Sequence, residues 1–176
     1  MGAGIPADAD LSPATGVPRL RAPANRVSPR ARWYWAIRAL AGWVVVFAIE
    51  GVTLLGSHPA SAVLGMVLGA TGAIAILHVG VMPQWRYRVH RWEDGTNAVY
   101  TQTGWFTQER RIAPVNRIQT VDTARGPIEQ LFGLANVTVT TASAAGPLRI
   151  HGLALTTAER LVEQLTTHAH DADDAT

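Results

Sequence analysis

The side chains able to do chemistry are few and scattered along the chain. The 176 residues contain no cysteine, which excludes thiolate nucleophiles, disulfides and cysteine-based zinc sites. The sequence has no HExxH, no GxSxG, no glycine-rich phosphate loop and no pair of carboxylates at catalytic spacing. His168 and His170 stand beside Asp171, Asp173 and Asp174, but a polar acidic tail has no preorganised geometry for a metal ion. We therefore expect no catalysis, no cofactor and no metal site.

Arginine forms the strongest chemical pattern. All 15 basic residues are arginine, and many of them lie just before or just after two long apolar stretches. Each basic side chain close to an anionic bilayer contributes about 1 kcal/mol to its attraction. An alternative is that these arginines only set the orientation of the apolar stretches, without lipid specificity. The candidate contacts to anionic lipid headgroups are Arg32, Arg38, Arg86, Arg88 and Arg91.

The two apolar stretches are the elements that position these arginines. Residues 35–55 are almost wholly apolar, and residues 62–82 contain no Asp, Glu, Lys or Arg. Each is long enough to cross a bilayer as a helix, and the short segment between them allows only a tight turn. We predict a transmembrane helical hairpin over 33–82. Six arginines lie up to Arg38, none in the turn and three just after the second span, so both termini should face the cytoplasm of the plasma (inner) membrane.

Other residues of the hairpin have predicted roles in packing and anchoring. Gly65, Gly69 and Gly72 give the second span a flat face, which we expect to pack inside the hairpin rather than in a dimer. Glu50 lies in the first span, where a structural role is favoured over a role in transport. Aromatic residues also occur where the helices should meet the headgroups. This interface belt is predicted to contain Trp33, Tyr34, Trp35, Trp85 and Tyr87.

The part after Pro83 shows alternation with a period of two, which predicts half-buried strands. Its nine arginines are balanced by ten acidic residues, so we do not expect nucleic-acid binding.

Residues 1–32 are predicted to be a disordered Pro/Ala/Arg-rich tail, and residues 169–176 an acidic, frayed tail. Strands are predicted over 85–92, 98–103, 105–112, 118–123, 135–141 and 148–153. A helical turn is predicted over 127–133, and an amphipathic helix after the capping box Thr156 to Glu159.

Several motifs of this part together resemble a known family. They are Gly104-Trp105-Phe106, Arg111 to Pro114, Val115 to Val121 and Gly126 to Ala135. With the preceding spans, they resemble the membrane-flanked bacterial PH-like proteins, the YdbS-like family, over roughly residues 35–165. The resemblance implies an α+β membrane protein: a two-helix transmembrane hairpin, then a PH-like antiparallel β-barrel or roll over 83–168 capped by a C-terminal α-helix.

The resemblance also implies a function without chemistry. It implies a protein that presents an interaction or assembly domain at the cytoplasmic face, with a link to envelope stress or antimicrobial resistance. Its partners would be membrane lipids and a larger protein with several PH-like domains, or a second copy of the chain. The alternatives are an anionic lipid-headgroup binder or sensor that uses Arg86 and Arg88, and a small transporter or channel subunit that uses Glu50.

The motif residues are interpreted as determinants of the fold. Arg117 and Gln119 should bond neighbouring strands or loops, and the Arg117→Ala variant is therefore expected to lower domain stability. Ile128 and Leu131 should fill the barrel together with other apolar side chains of the motifs. The full set is Arg117, Ile118, Gln119, Val121, Gly126, Pro127, Phe132 and Gly133.

Overall fold

Two long apolar helices lead into a small domain of two sheets. The computed structural model describes residues 22–56, 62–104, 107–143 and 146–174, with side chains as far as 167. Helix α1 spans Ala31–Gly56 and helix α2 spans Ala62–Val89. Each contains an 18-residue stretch apolar enough to cross a membrane, with mean hydropathy 1.9 and 2.1, of which only 0% and 6% is buried in protein. The core helix of a water-soluble domain would be mostly buried, and these two stretches are not.

Polar contacts join α1 to α2 at matched positions. Trp43 Nε1 donates to His78 Nδ1 at 3.0 Å, and Thr71 Oγ1 donates to Glu50 Oε1 at 2.7 Å. A step of seven residues along α1 is thus matched by seven residues back along α2, as in an antiparallel pair. Glu50 and His78 are used in separate contacts, and each contact stabilises the helix pair.

The small-residue face of α2 lies outside this helix contact. A Cβ atom added at Gly65, Gly69 or Gly72 would meet nothing within 4 Å. The prediction that these glycines pack inside the hairpin is therefore wrong. The physical reason is that the polar pairs direct a different face of α2, the one that carries Thr71 and His78, towards α1.

The domain contains two antiparallel sheets. The first has the order β1 (Asn25–Arg26), β2 (Arg91–Asp94), β3 (Ala98–Thr103), β4 (Glu109–Pro114), and the second has the order β5 (Ile118–Ala124), β6 (Leu134–Thr141), β7 (Leu148–Ala154). Helix α3 (Pro127–Leu131) connects β5 to β6, and helix α4 (Leu155–Asp174) follows β7. The α+β class and the C-terminal helix are confirmed. The sheets stay open and do not close into a barrel.

The boundary between hairpin and domain differs from the prediction. Helix α2 continues through Pro83 to Val89, so the first part of the strand predicted over 85–92 is helical. Extending an existing helix needs no new nucleation, which favours helix over a strand with the same alternating residues. The aromatic and cationic side chains of this segment therefore lie around a helix end and not on two faces of a strand.

The two predicted tails also differ from the structure where it describes them. Residues 1–21 of the predicted disordered tail lie outside the described residues, but Asn25 and Arg26 pair with Trp92 and Arg91, and Val27 is buried. Pairing and burial order this end of the tail. At the other end, α4 begins at Leu155, directly after β7, and continues to Asp174, so residues 169–174 have helical backbone.

One hydrophobic core joins the start of α1 to both sheets and α4. Val27, Ala31, Tyr34 and Trp35 belong to the same buried cluster as the side chains of the sheets. The sheet and helix members include Trp92, Val99, Ala113, Leu134, Val137, Val139, Leu148, Ile150, Leu153, Ala158, Leu161 and Leu165. The first turns of α1 are therefore part of the domain, and they fix how it sits against the apolar helices.

Candidate functional site

A buried carboxylate lies at the junction between the apolar helices and the domain. Glu129 of α3 is 8% exposed. Its Oε2 accepts from the Gly126 backbone N–H at 2.6 Å, and its Oε1 accepts from Asn136 Nδ2 at 2.7 Å. Burial alone would raise the pKa of Glu129, but hydrogen bonds from Gly126, Asn136 and the Tyr34 hydroxyl outweigh it and hold the pKa below its usual value. Glu129 is therefore ionised at neutral pH.

The hydrogen bonds continue from this carboxylate into α1 and β7. Arg38 Nη1 donates to the Tyr34 hydroxyl at 3.0 Å, so Tyr34 links a membrane-proximal arginine to Glu129. Asn136 Oδ1 accepts from the Gly152 N–H at 3.0 Å. These bonds hold α1, α3, β6 and β7 in one arrangement. Glu129 and Asn136 were not recognised as site residues from the sequence, although a glutamate two residues after Pro127 is a helix-capping signal.

Two cavities meet at the end of α2. The joint cavity, of about 450 Å³, is lined by Tyr34, Trp35, Arg38, Met82 and Glu129 among others. The arginine cavity, of about 670 Å³, is lined by Arg86, Arg111, Arg149, His90, Thr101 and Thr103 among others. Arg86 and His151 line both cavities. The junction thus contains a cationic space just below the apolar parts of the helices.

The histidines of the arginine cavity are uncharged at neutral pH. Burial and the nearby Arg86 guanidinium lower the pKa of His90 to about 4. Burial also lowers the pKa of His151, and the positive charges of Arg86 and Arg149 lower it further. His90 Nδ1 donates to the Arg86 carbonyl oxygen at 2.9 Å, which ties the start of the domain to the end of α2. The positive charge of the cavity therefore comes from its arginines.

The low pKa of His90 predicts a loss of stability in acid. His90 binds a proton near pH 6.5 in the unfolded chain but only near pH 4 in the folded chain. The contribution of neutral His90 to stability is therefore fully present above about pH 6.5 and is lost as the pH falls to 4. One unit of pKa corresponds to about 1.4 kcal/mol, so the free energy of unfolding should drop by about 1–3 kcal/mol. Thermal unfolding of the full chain in neutral detergent would measure it. His90→Asn keeps a donor for the Arg86 carbonyl without titrating, so an equal acid loss in this variant would contradict the prediction.

Some residues of the predicted interface belt are buried in protein, and others are exposed. Tyr34 and Trp35 are buried in the domain core, and Tyr87 packs partly against it beneath the Arg32 guanidinium, 5.0 Å from the ring centroid. The prediction is wrong for Tyr34 and Trp35, because protein rather than lipid covers their rings. Trp33 and Trp85 remain exposed. These two keep the position that the prediction gave them, at the surface of the helices.

The five predicted headgroup arginines do not form one surface. Arg32 Nη1 donates to Gln84 Oε1 at 3.5 Å, and Arg91 Nη1 donates to the Pro23 carbonyl oxygen at 3.4 Å. Arg88 is exposed and lines neither cavity, whereas Arg38 and Arg86 line the joint cavity. The contacts to Gln84 and Pro23 direct Arg32 and Arg91 to other protein groups.

Two arginines of the cavity were not recognised from the sequence. Arg111 lies on β4 and Arg149 on β7, both remote in sequence from Arg86. Arg149 and His151 are two residues apart in a strand, so their side chains lie on one face. That spacing could have identified the pair, but only the tertiary structure places it beside the end of α2.

The predicted fold determinants fall into two groups. Pro127 begins α3, Gly133 has φ +62° after it, and Ile118, Val121 and Phe132 pack against the core. Arg117 and Gln119 are exposed, and their side chains form no hydrogen bond with any residue that the structure describes. The expectation that these two side chains bond neighbouring strands or loops is therefore wrong, and the loss of stability expected for Arg117→Ala has no structural basis.

Two apolar residues of the motif lie at the surface of the domain. Ile128 is exposed and Leu131 is 85% exposed, so neither fills the core as expected. Among the described residues, no three histidine, aspartate or glutamate side chains lie close enough to hold a metal ion. The side chains of His168, His170 and the acidic residues after them lie outside the described part.

Comparison with known proteins gives one family and one curated relative. Residues 39–169 match the family model described as "Bacterial PH domain". Over 160 aligned residues the chain is 30% identical to the "UPF0699 transmembrane protein YdbS" of Bacillus subtilis (strain 168), an alignment that covers 86% of this chain and 96% of that protein. No solved structure gives a significant match. The matched region includes α2, the whole lining of the arginine cavity and all of β2 to β7.

Proposed function

The chain belongs to the bacterial PH domain family. We propose that it is a noncatalytic transmembrane protein. In this proposal its PH-like domain is an assembly module at the cytoplasmic face of the plasma membrane. The observation that carries this proposal is the exposure of Arg117 and Gln119, two residues of the motif by which the sequence resembles the family. A side chain that served the fold would be buried or bonded. Exposed and unbonded, these two are available to a partner.

The strand that follows Arg117 supports the same proposal. In the described sheets, β5 pairs only with β6, and five of its seven residues are exposed. An edge strand presents unpaired backbone N–H and C=O groups, to which a partner strand can add. The core that includes Ala31 and Trp35 fixes the domain to the helix ends, so this edge is held in one orientation. We propose that a protein strand of the partner pairs with β5.

Substitution at this edge should separate binding from stability. Arg117→Ala combined with Gln119→Ala is expected to change the free energy of unfolding by less than about 0.5 kcal/mol, because neither side chain is buried or bonded. A photoreactive residue at Thr120 should crosslink to a second polypeptide in native membranes, and the double variant should reduce that adduct severalfold. Arg160→Ala, at an exposed position of α4, is the matched control and should leave the adduct unchanged.

The mass of the adduct identifies the partner class. Twice the chain mass of 18.9 kDa indicates a second copy, and a larger mass indicates a different protein. If no adduct forms at Thr120, or if Arg160→Ala reduces it as much as the double variant, the proposed edge is contradicted.

We further propose that α1 and α2 cross the membrane with both termini in the cytoplasm. The arginine distribution supports this orientation. Because the chain has no cysteine, single cysteines can report it. Ser61→Cys, between the helices, should react with an impermeant maleimide in right-side-out vesicles, whereas Thr167→Cys should react only after permeabilisation. The reverse pattern would contradict the orientation.

A further inference from the structure

The arginine cavity has more positive charge than its acidic side chains balance. It is lined by Arg86, Arg111 and Arg149 and by one acidic residue, Glu109. Glu109 is already engaged, since its Oε1 lies 2.6 Å from Arg111 Nε. Among the residues that the structure describes, no carboxylate forms an ion pair with Arg86 or Arg149. Two guanidinium groups of the cavity thus have charges that the described protein does not neutralise.

Arg86 is held in place by an aromatic ring. Its guanidinium lies over Trp35, 4.6 Å from the ring centroid, and the side chain is largely covered by protein. A cation removed from water needs compensation, which a ring face supplies only in part. A stacked guanidinium keeps its N–H donors in its plane, where they remain available for a planar or tetrahedral oxyanion. Trp35 therefore orients Arg86 without using its donors.

Neutral donors also line the cavity. Thr101 and Thr103 line it from β3, and their hydroxyl groups form no hydrogen bond with another described residue. Guanidinium and hydroxyl donors converging on one space are the usual partners of phosphate oxygens. The volume of about 670 Å³ is within the range of small-molecule sites. The cavity thus has the charge, the donors and the size for an oxyanion.

We propose that the arginine cavity binds a phosphate-bearing anion through Arg86 and Arg149, with Thr101 and Thr103 as hydroxyl donors. The joint cavity shares Arg86 and His151 with it and extends to Arg38, Ala39 and Met82 of the apolar helices. In this proposal a phosphate of a membrane lipid enters from that side, and a soluble phosphate enters from the aqueous side. This proposal is independent of the assembly function at β5.

Calorimetric titration of the full chain in a neutral, phosphate-free detergent tests the site. The probes are inorganic phosphate and dihexanoyl-phosphatidylglycerol, with dihexanoyl-phosphatidylcholine as the zwitterionic comparison. Arg149→Gln should weaken binding by about tenfold or more, because it removes a charge-assisted contact. Arg88→Gln removes the same charge from an exposed position outside the cavity, and should change affinity by no more than about twofold. Arg86→Gln should resemble Arg149→Gln, but Arg149 is exposed, so its variant tests binding without disturbing the core.

The two probes distinguish the sources of the phosphate. Saturable binding of both anions supports a site for free phosphate groups, and binding of phosphatidylglycerol alone supports a lipid-headgroup site. The proposal is overturned if neither anion binds saturably. It is also overturned if Arg88→Gln weakens binding as much as Arg149→Gln does, because the attraction would then be general to the basic surface.

Discussion

Replacing Gly152 by valine is expected to separate α1 from the domain and to lower the free energy of unfolding by about 3 kcal/mol or more. Gly152 has φ +76°, a backbone conformation that a β-branched residue rarely adopts. A Cβ atom there would lie 2.9 Å from the Ala31 Cβ and 3.5 Å from Trp35 Cζ2. The valine must therefore displace α1 as well as strain β7. Thermal unfolding of the full chain in detergent would measure the loss.

A second glycine supplies a control with nearly the same φ. Gly146 has φ +78°, but a Cβ atom added there meets nothing within 4 Å. Gly146→Val thus introduces the backbone strain without the collision. We expect it to lower stability by about 1–2 kcal/mol, clearly less than Gly152→Val. Equal losses in the two variants would mean that the close approach of α1 to β7 contributes nothing.

The Trp35→Ala variant is expected to lose about 3–5 kcal/mol of stability, the usual cost of removing a large core aromatic residue. Trp35 is 3% exposed, lies 5.3 Å from the His90 ring between centroids, and carries the Arg86 guanidinium on its face. Its loss leaves a cavity between α1 and the sheets and removes the ring that orients Arg86. Denaturant unfolding, followed by the remaining tryptophans, would report the loss.

Trp33→Ala is the matched control for this prediction. Trp33 is on the same helix, two residues earlier, and is 65% exposed. Its removal should change stability by less than about 0.5 kcal/mol. If Trp33→Ala were as destabilising as Trp35→Ala, the two tryptophans would share one environment, as the predicted interface belt required.

Gly152→Val and Trp35→Ala both test how the domain is attached to the apolar helices. The attachment has an apolar part, formed by Ala31 and Trp35 against β7, and a polar part, formed by Tyr34 with Glu129. A flexible linker would give neither effect. Rigid attachment keeps the arginine cavity beside the helix ends and keeps the β5 edge in a constant orientation.

Much of the secondary structure follows from local patterns in the sequence. Two largely apolar runs of about 20 residues predict α1 and α2, since a single segment that crosses lipid satisfies its own backbone groups only as a helix. Strand β3 has the predicted bounds, and β5, β6 and β7 differ from theirs by one residue at an end. The turn with Pro127 and Gly133 is present as α3, and the apolar face of α4 contains Leu161 and Leu165 as expected. These elements depend on residues close to one another in the chain.

The positions that matter for function depend on contacts between distant residues. The sequence placed Tyr34 and Trp35 at the headgroups, because aromatic residues beside an apolar span are typical of both a membrane interface and a core. It predicted bonds for Arg117 and Gln119, which the sheet leaves exposed. Arg149 and His151 join Arg86 only because β7 passes the end of α2. Composition and periodicity thus determined which elements form and that two of them suit a membrane. The packing of α1 against β7 decided which side chains share a cavity, because local propensity does not encode how distant segments pack.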